Sequence, residues 1–413
     1  MARIRTIALA GLGLLMLAVL LVLPALPVPA GAAGGGPAAA PSPLPAVSDS
    51  PSPSATPQSA QRAAAPYRAV WVSYLEWQNV DFSSAAAFSA DCAAMLDHIA
   101  ALGANVVLAQ VRPFGDALYP STLFPFSHLC TGVQGQDPGF DPLAILVEQA
   151  HARGLELEAW VNPYRLRAGG VPGQLCAQSP ALAHPDWVKT TDNGLYLDPA
   201  SAEVRQWIAD GLAELCEQYA IDGVHFDDYF YPTTDPAFDA ADYTASGSAL
   251  PLADWRRQNV NALVRLCFET VHRYGRRFGI APQGDPDLNY AAQYSDTALW
   301  LAEPGYVDYL MPQLYWGLDC TDRAHALDAL ADRWLALPRQ QGTALYFGLG
   351  AYRIGQDEEW CSGGALASQL LWLAGHGVES AALYRYGSLF ENTAFPALAA
   401  AEVQALCTVW RTG

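Results

Sequence analysis

The stretch Ile221-Asp222-Gly223-Val224-His225-Phe226-Asp227-Asp228-Tyr229-Phe230-Tyr231-Pro232 sets two adjacent carboxylates between an alternating apolar run and a cluster of aromatic rings. Val224 and Phe226 share one parity and His225 and Asp227 the other, the pattern of a β-strand whose successive side chains point to opposite faces. If helices cover the apolar face, His225 and Asp227 look into the interior of a closed sheet. Asp227 and Asp228 then stand where the strand ends. Two carboxyl groups this close resist double ionisation, so one keeps its proton toward neutral pH, as general acid–base catalysis requires. The bland reading of the same residues is an acidic turn, because Asp is common in loops.

The same parity test applies to other strands. Val107, Ala109 and Val111 alternate with Leu108, Gln110 and Arg112; Leu157, Ala159 and Val161 with Glu158, Trp160 and Asn162; and Leu310, Pro312 and Leu314 with Met311, Gln313 and Tyr315. In each case the polar set grows toward the C-terminal end. One inward Gln or His reads as a hydrogen-bonded core residue. Agreement across several strands is harder to explain as packing, since each buried polar group costs free energy unless paired. A layer of Gln110, Arg112, Glu158, Asn162, His225, Asp227, Gln313 and Tyr315 is therefore expected at one mouth. Glu76 adds a carboxylate after the first strand, against the bland reading of a solvated loop acid. Arg112 and Arg165, the latter preceded by Tyr164, are expected to hold a substrate carboxylate or to orient the acids. Salt bridges to Asp227 or Asp228 are the structural alternative. Trp160, Tyr229, Tyr231, Trp316 and Tyr384 are expected either to line a groove or to fill core. Acids in a polar, aromatic cleft suit hydrolysis of a glycosidic bond: one protonates the leaving oxygen and another acts as nucleophile or activates water. Adjacent Asp side chains on a strand point apart, so Asp227 is the first candidate, Asp228 the second, and Glu76 or Glu158 the partner from another strand. Binding of a divalent cation by the Asp pair is the weaker alternative, and neither metal nor cofactor is expected.

The elements that must position these residues alternate. Strands are expected at Ala69–Leu75, Asn105–Arg112, Leu155–Asn162, the Asp227 stretch, Phe278–Pro282, Val307–Leu314, Leu345–Leu349 and Ala381–Tyr384. Helices fall between them: over 84–102, around Ile145–Ala152, over 201–219 from a start at Asp198-Pro199, over 254–273, and near 322–336, 364–375 and 396–407. Phe88, Cys92, Met95, Leu96, Ile99 and Leu102 form one stripe of the first helix. Eight strand–helix units predict an α/β fold, a (β/α)8 TIM barrel. A doubly wound sheet is the competitor, but no GxGxxG follows the first strand. The long connections 113–141, 162–198 and 227–253 all follow strands, so the C-terminal face is the elaborated one.

Composition bounds the rest. The 413 residues carry a net charge of -19 with a pI near 4.6, which argues against nucleic acid as a partner. Arg3 and Arg5 precede an apolar run from Ile7 to Val28, with small residues at 30–33. Residues 1–33 thus read as a secretory signal or an uncleaved membrane anchor, and in either case the domain beyond is exported. Residues 34–66, rich in Ala, Pro, Ser and Gly, read as a disordered linker, and 67–413 as the barrel. Eight Cys in an exported chain permit disulfides, with Cys130, Cys176, Cys320 and Cys361 placed in loops and Cys92, Cys216 and Cys267 on buried helix faces. Their spacing matches no zinc motif.

Arg68-Ala-Val-Trp-Val72, Gln110-Val-Arg-Pro113, Asp116-Ala-Leu-Tyr-Pro-Ser121, Asp141-Pro-Leu143, His151-Ala-Arg-Gly-Leu-Glu156, Ala159-Trp-Val-Asn-Pro-Tyr-Arg165, His184-Pro185, the Asp222–Pro232 stretch, Asp254-Trp-Arg-Arg257, Asn259-Val-Asn261 and Pro312-Gln-Leu-Tyr-Trp316 follow in order. Together they resemble the bacterial glycosyl-hydrolase-like family of exported barrels, over about 67–390. That family includes the septal-ring glycosidase that acts on peptidoglycan strands stripped of stem peptides. The resemblance implies a (β/α)8 barrel, hydrolysis of a glycan such as the MurNAc–GlcNAc backbone, and an acidic fourth-strand motif at Asp227 and Asp228. Glu158 stands where relatives often have His. The competing readings are a barrel that binds glycan without cleaving it and a hydrolase of another exported polysaccharide.

Overall fold

The computed structural model of the protein describes residues 65–412. The leader or anchor expected over 1–33, and all but the last two residues of the expected linker, lie outside the described residues.

Eight strand positions form one continuous parallel ladder. They are β1 (Arg68–Val72), β2 (Val106–Arg112), β3 (Glu156–Val161), β4 (Gly223–Phe226), β5 (Arg277–Ile280), β6 (Tyr309–Leu310, resuming as Gln313–Leu314), β7 (Ala344–Leu345, resuming as Phe347–Gly350) and β8 (Ala381–Tyr384). Each pairs with its neighbours in sequence order. Arg68 and Ala381 then bring β8 back beside β1. The sheet therefore closes into the expected barrel. The interruption in β6 has a local cause: Pro312 has no N–H to give to a ladder.

Helices follow the strands: α1 (Ala85–Leu102), α2 (Pro142–His151), α3 (Ala202–Gln218), α4 (Leu252–Arg273), α5 (Thr297–Ala302), α6 (Leu327–Leu335), α7 (Ala365–Gly375) and α8 (Pro396–Thr412). Side-chain oxygens of Ser84, Asp141 and Ser201 accept backbone N–H groups at the starts of α1, α2 and α3, satisfying donors that a helix leaves open. The third helix starts at this Ser201 cap rather than at Asp198-Pro199. Outward strand residues such as Val70, Val107, Ala109, Leu157, Val224, Phe226, Phe278 and Ile280 pack on Phe88, Leu96, Ile99, Ile208, Leu212 and Leu263 of the helices. Helix α1 is the one described helix long and apolar enough to cross a membrane. Its apolar stripe lies in this core, as expected for a barrel helix.

The interior is filled by Ala69, Trp71, Leu108, Trp160, Tyr309, Met311 and Ala382. Glycine makes that possible at Gly279, where a Cβ would sit 1.9 Å from Cζ of Tyr309. Above β3, the segments Arg165–Ala168, Val188–Thr191 and Gly194–Leu197 form a small antiparallel sheet within the long connection.

Three local expectations are corrected. The first strand ends at Val72, not Leu75, because Ser73 and Glu76 form a capping box that starts the short helix Tyr74–Trp77. Cys130 lies in the helix His128–Thr131 and is buried rather than in a loop. All eight thiols are free, so Cys130, Cys176, Cys320 and Cys361 form no bridges in the structure, and Cys92, Cys216 and Cys267 are buried as expected.

Replacing Gly279 with Ala should drive the new methyl into the Tyr309 ring. Overpacking of this kind costs about 1–3 kcal/mol or more. A thermal unfolding midpoint unchanged from the parent would refute the close approach.

Candidate active site

Asp227 leaves the end of β4 and turns into the mouth of the barrel, where it is 4% exposed. One carboxylate oxygen accepts from Nε1 of Trp160 at 3.2 Å and from Nδ2 of Asn162. The other accepts the backbone N–H of Tyr229 at 3.3 Å. Asn162 is fixed in turn: its Oδ1 accepts from Nε2 of Gln110 at 2.6 Å and from Nη2 of Arg165 at 3.0 Å. Gln110 is held by the Tyr74 N–H on its Oε1 at 2.8 Å. The chain Gln110–Asn162–Asp227 thus orients the carboxyl group from two neighbouring strands.

Burial pushes the Asp227 carboxyl up to about 7. Arg165 pulls it down, the Asp228 charge raises it further, and the Asn162 hydrogen bond pulls down again. Asp228 is half-buried on the other side of the strand end. Its oxygens accept from Nε2 of Gln293 at 3.2 Å and from Nε2 of Gln313 at 3.3 Å. It too is raised, by burial above all, with these two amides opposing. The pair therefore holds a proton near neutral pH on groups that ordinarily lose theirs near 4.

Aromatic rings surround the acids. Tyr384 stacks on Tyr315 at 5.4 Å between centroids and meets Trp160 edge-on at 6.5 Å. Tyr229 is 43% exposed and lies over the Arg165 guanidinium at 5.1 Å, which leaves its outer face free. Arg165 is anchored by Nε to the Pro113 carbonyl at 2.9 Å.

Asp227, Asp228, Gln110, Asn162, Trp160, Arg165, Tyr229, Gln313 and Tyr315 are thus brought together. Other expected members are not. Arg112 faces the helices, because a β-bulge between Gln110 and Arg112 reverses the parity of β2 at its end. Its guanidinium lies 4.1 Å above the Phe124 ring and against Gly211 of α3, where an added Cβ would come within 2.6 Å of Nη1. Tyr164 is fully buried in the same outer layer, and Tyr231 packs there against Phe238 and Tyr294. Trp316 closes over Gly284 and stacks on His325 at 5.4 Å, which makes it a brace for the loop after β5.

His225 and Glu158 do face inward, but below the mouth. His225 Nε2 accepts from Nε1 of Trp71 at 3.2 Å, so its Nδ1 carries the proton and donates to the Tyr309 hydroxyl at 2.8 Å. That hydroxyl donates to Glu158 at 2.5 Å, and Nε of Arg277 donates to the same carboxylate at 2.7 Å. Burial pushes His225 down to about 3, so it stays neutral. The Glu158 side chain has no exposed surface. Glu76 lies near the rim but is equally enclosed: Ser73 N–H and Oγ, the Gly387 N–H and the Arg385 guanidinium all donate to it. Both glutamate side chains are enclosed in the structure, with no exposed surface.

The parity reading missed several participants. Tyr309 shares parity with Met311 one step before the stretch of that strand that was tested, and Trp71 shares parity with Ala69 on the first strand, to which the test was not applied. Gln293 follows a short helix after β5 and carries no periodic signal.

The closed parallel barrel carries its acidic, aromatic mouth at the C-terminal strand ends, where enzymes of this fold hold their active sites. Residues 66–362 match the family described as Glycosyl hydrolase-like 10, and the chain belongs to that family. It is 38% identical over 323 residues to the glycosyl hydrolase YngK of Bacillus subtilis (strain 168), covering 71% of this chain and 62% of that protein, less than two thirds of the relative's length. It is 35% identical over 353 residues to the glycosyl hydrolase DigH of Escherichia coli (strain K12), covering 75% and 80%. The glycoside hydrolase domain of PgaB (BpsB) from Bordetella bronchiseptica shares the fold, with a TM-score of 0.56 at 16% identity over 84% of this chain and 99% of that one. So does the catalytic domain of a Paenibacillus polymyxa β-amylase, with a TM-score of 0.52 at 13% identity over 83% and 97%.

Two outcomes follow. The unfolded chain loses the Asp227 proton near 3.8 and the folded chain near 7, so stability present below about pH 4 declines as pH rises to about 7. The difference is at most about 4 kcal/mol. Asp227→Asn removes this titration, so its melting temperature relative to the parent should climb across that window; parallel curves would contradict the assigned cause. Glu158→Gln should instead cost about 1–3 kcal/mol, because it takes a charged acceptor from Arg277 Nε and the Tyr309 hydroxyl while Glu156 still pairs with Arg277. The folded fraction should still act on substrate, and a folded but inert variant would return Glu158 to the site.

Proposed function

We propose that the protein is a glycoside hydrolase that uses the Asp227–Asp228 pair to cleave O-glycosidic bonds of a cell-envelope glycan. The observation that carries this reading is a carboxyl group held to about 7 at the barrel mouth, beside a second raised carboxyl and under aromatic rings. A group with that pKa gives up and takes back a proton at neutral pH, which suits both halves of a hydrolysis. Tyr229, Tyr315 and Tyr384 offer faces for sugar rings, and Arg165 faces Asp227 and sits under Tyr229.

The substrate we favour is the MurNAc–GlcNAc backbone of peptidoglycan freed of stem peptides. It is supported by the ordered motifs shared with the envelope-acting family. The positive-then-apolar N-terminal sequence supports export, either released or tethered.

Purified protein incubated with stem-peptide-free peptidoglycan should release soluble fragments. Asp227→Asn should reduce the rate by at least about a hundredfold, the lower range for an acid–base group. Turnover should fall as pH rises through about 7, as the pair loses its proton. Binding of the strands without fragment release would instead establish a non-catalytic barrel.

A further inference from the structure

We infer that cleavage is substrate-assisted: the attacking group is the 2-acetamido carbonyl of the sugar itself, and the site is therefore selective for N-acetylated glycans. This rests on the glycosidase reading above.

The argument is one of missing partners. A carboxylate that attacks C1 must stand across the sugar from the proton donor, about 5–5.5 Å away; one that activates water stands about 6.5–9.5 Å away. Asp227 and Asp228 are consecutive, so their Cα atoms are about 3.8 Å apart and both approach from the end of β4. One strand end carries both, whereas flanking a ring takes carboxylates from two sides of the mouth. The charged groups that act on Asp227 are Arg165 and Asp228. The other two candidate carboxylates, Glu76 and Glu158, have side chains with no exposed surface and are saturated by donors. Among the described residues assigned to the mouth, none supplies an opposing nucleophile, and a 2-acetamido sugar brings one with it.

The pair shares one proton, and the reactive arrangement places it on Asp228 and leaves Asp227 as the carboxylate. Asp227 is deep, set between Trp160 and Asn162 with Tyr384 nearby, a place for the acetamido group with its methyl against aromatic carbon. Asp228 is shallower and held by two neutral amides. In the first step the acetamido oxygen bonds to C1 as the bond from C1 to the leaving sugar breaks. Asp228 gives its proton to the departing oxygen, and Asp227 takes the amide N–H proton from the closing ring. In the second step water adds at C1 and the ring reopens. Asp228 receives a proton from that water, and Asp227 returns the amide proton. One water is consumed, and configuration at C1 is retained.

The test compares stem-peptide-free peptidoglycan strands before and after chemical removal of their N-acetyl groups, using the purified full chain. The N-acetylated strands should be cleaved at least a hundredfold faster. The thiazoline analogue of an N-acetylglucosamine oligomer should inhibit competitively, and NMR of the first product should show the retained anomer. On an N-acetylated oligomer with a 4-nitrophenyl leaving group that the parent cleaves, Asp228→Asn should recover much of its rate while Asp227→Asn should not. Comparable release from both glycans without thiazoline inhibition, or an inverted product, overturns this inference and leaves the hydrolase reading standing. No fragments from either glycan overturns both.

Discussion

Everything at the barrel mouth depends on the cost of ionising Asp227 where it is. Water would stabilise the charge, and the interior of a filled barrel offers only a tryptophan N–H, an asparagine amide, one backbone N–H and a guanidinium in its place. These lower the penalty without removing it. The second carboxyl beside it raises the penalty again. The balance leaves a proton that is neither tightly held nor free, and the surrounding strands exist in this register to keep it so. Gln110 and Asn162 hold the geometry, and Gln293 and Gln313 hold the neighbour.

The barrel is layered beneath that mouth. Trp71, His225, Tyr309, Glu158 and Arg277 run as one chain of donors and acceptors through the interior, with each polar atom in it given a partner. Buried polar groups are tolerable when so paired and expensive otherwise. The chain explains why a barrel with a polar interior can be stable, and why Glu158 stands where it does: Arg277 begins β5 two strands away and supplies its counter-charge.

How much of this was legible beforehand depended on local regularity. Eight strand–helix units were readable from hydrophobic period alone, and the closed ladder follows from them. Parity placed Gln110, Trp160, Asn162 and Asp227 together because β2, β3 and β4 run straight that far. It failed for Arg112, where one extra residue in β2 turns the side chain out toward α3, and a bulge leaves no periodic trace. Depth was invisible as well. His225 and Glu158 have the right parity but lie lower in the barrel, and parity says nothing of height. Glu76 was placed near the rim; its capping of Ser73 is a local pattern, but its ion pair depended on Arg385 and its further hydrogen bond on Gly387, over three hundred residues distant.

The same filled interior has a consequence for anything long that visits the protein. Among the described residues, Trp71, Tyr309 and the Glu158–Arg277 pair fill the barrel axis below the mouth. On the hydrolase reading proposed above, a glycan strand would lie across the open end, over exposed rings such as Tyr229. Such a saddle would set no requirement for a free chain terminus, and on that reading an internal link of a strand would be as accessible as the last one.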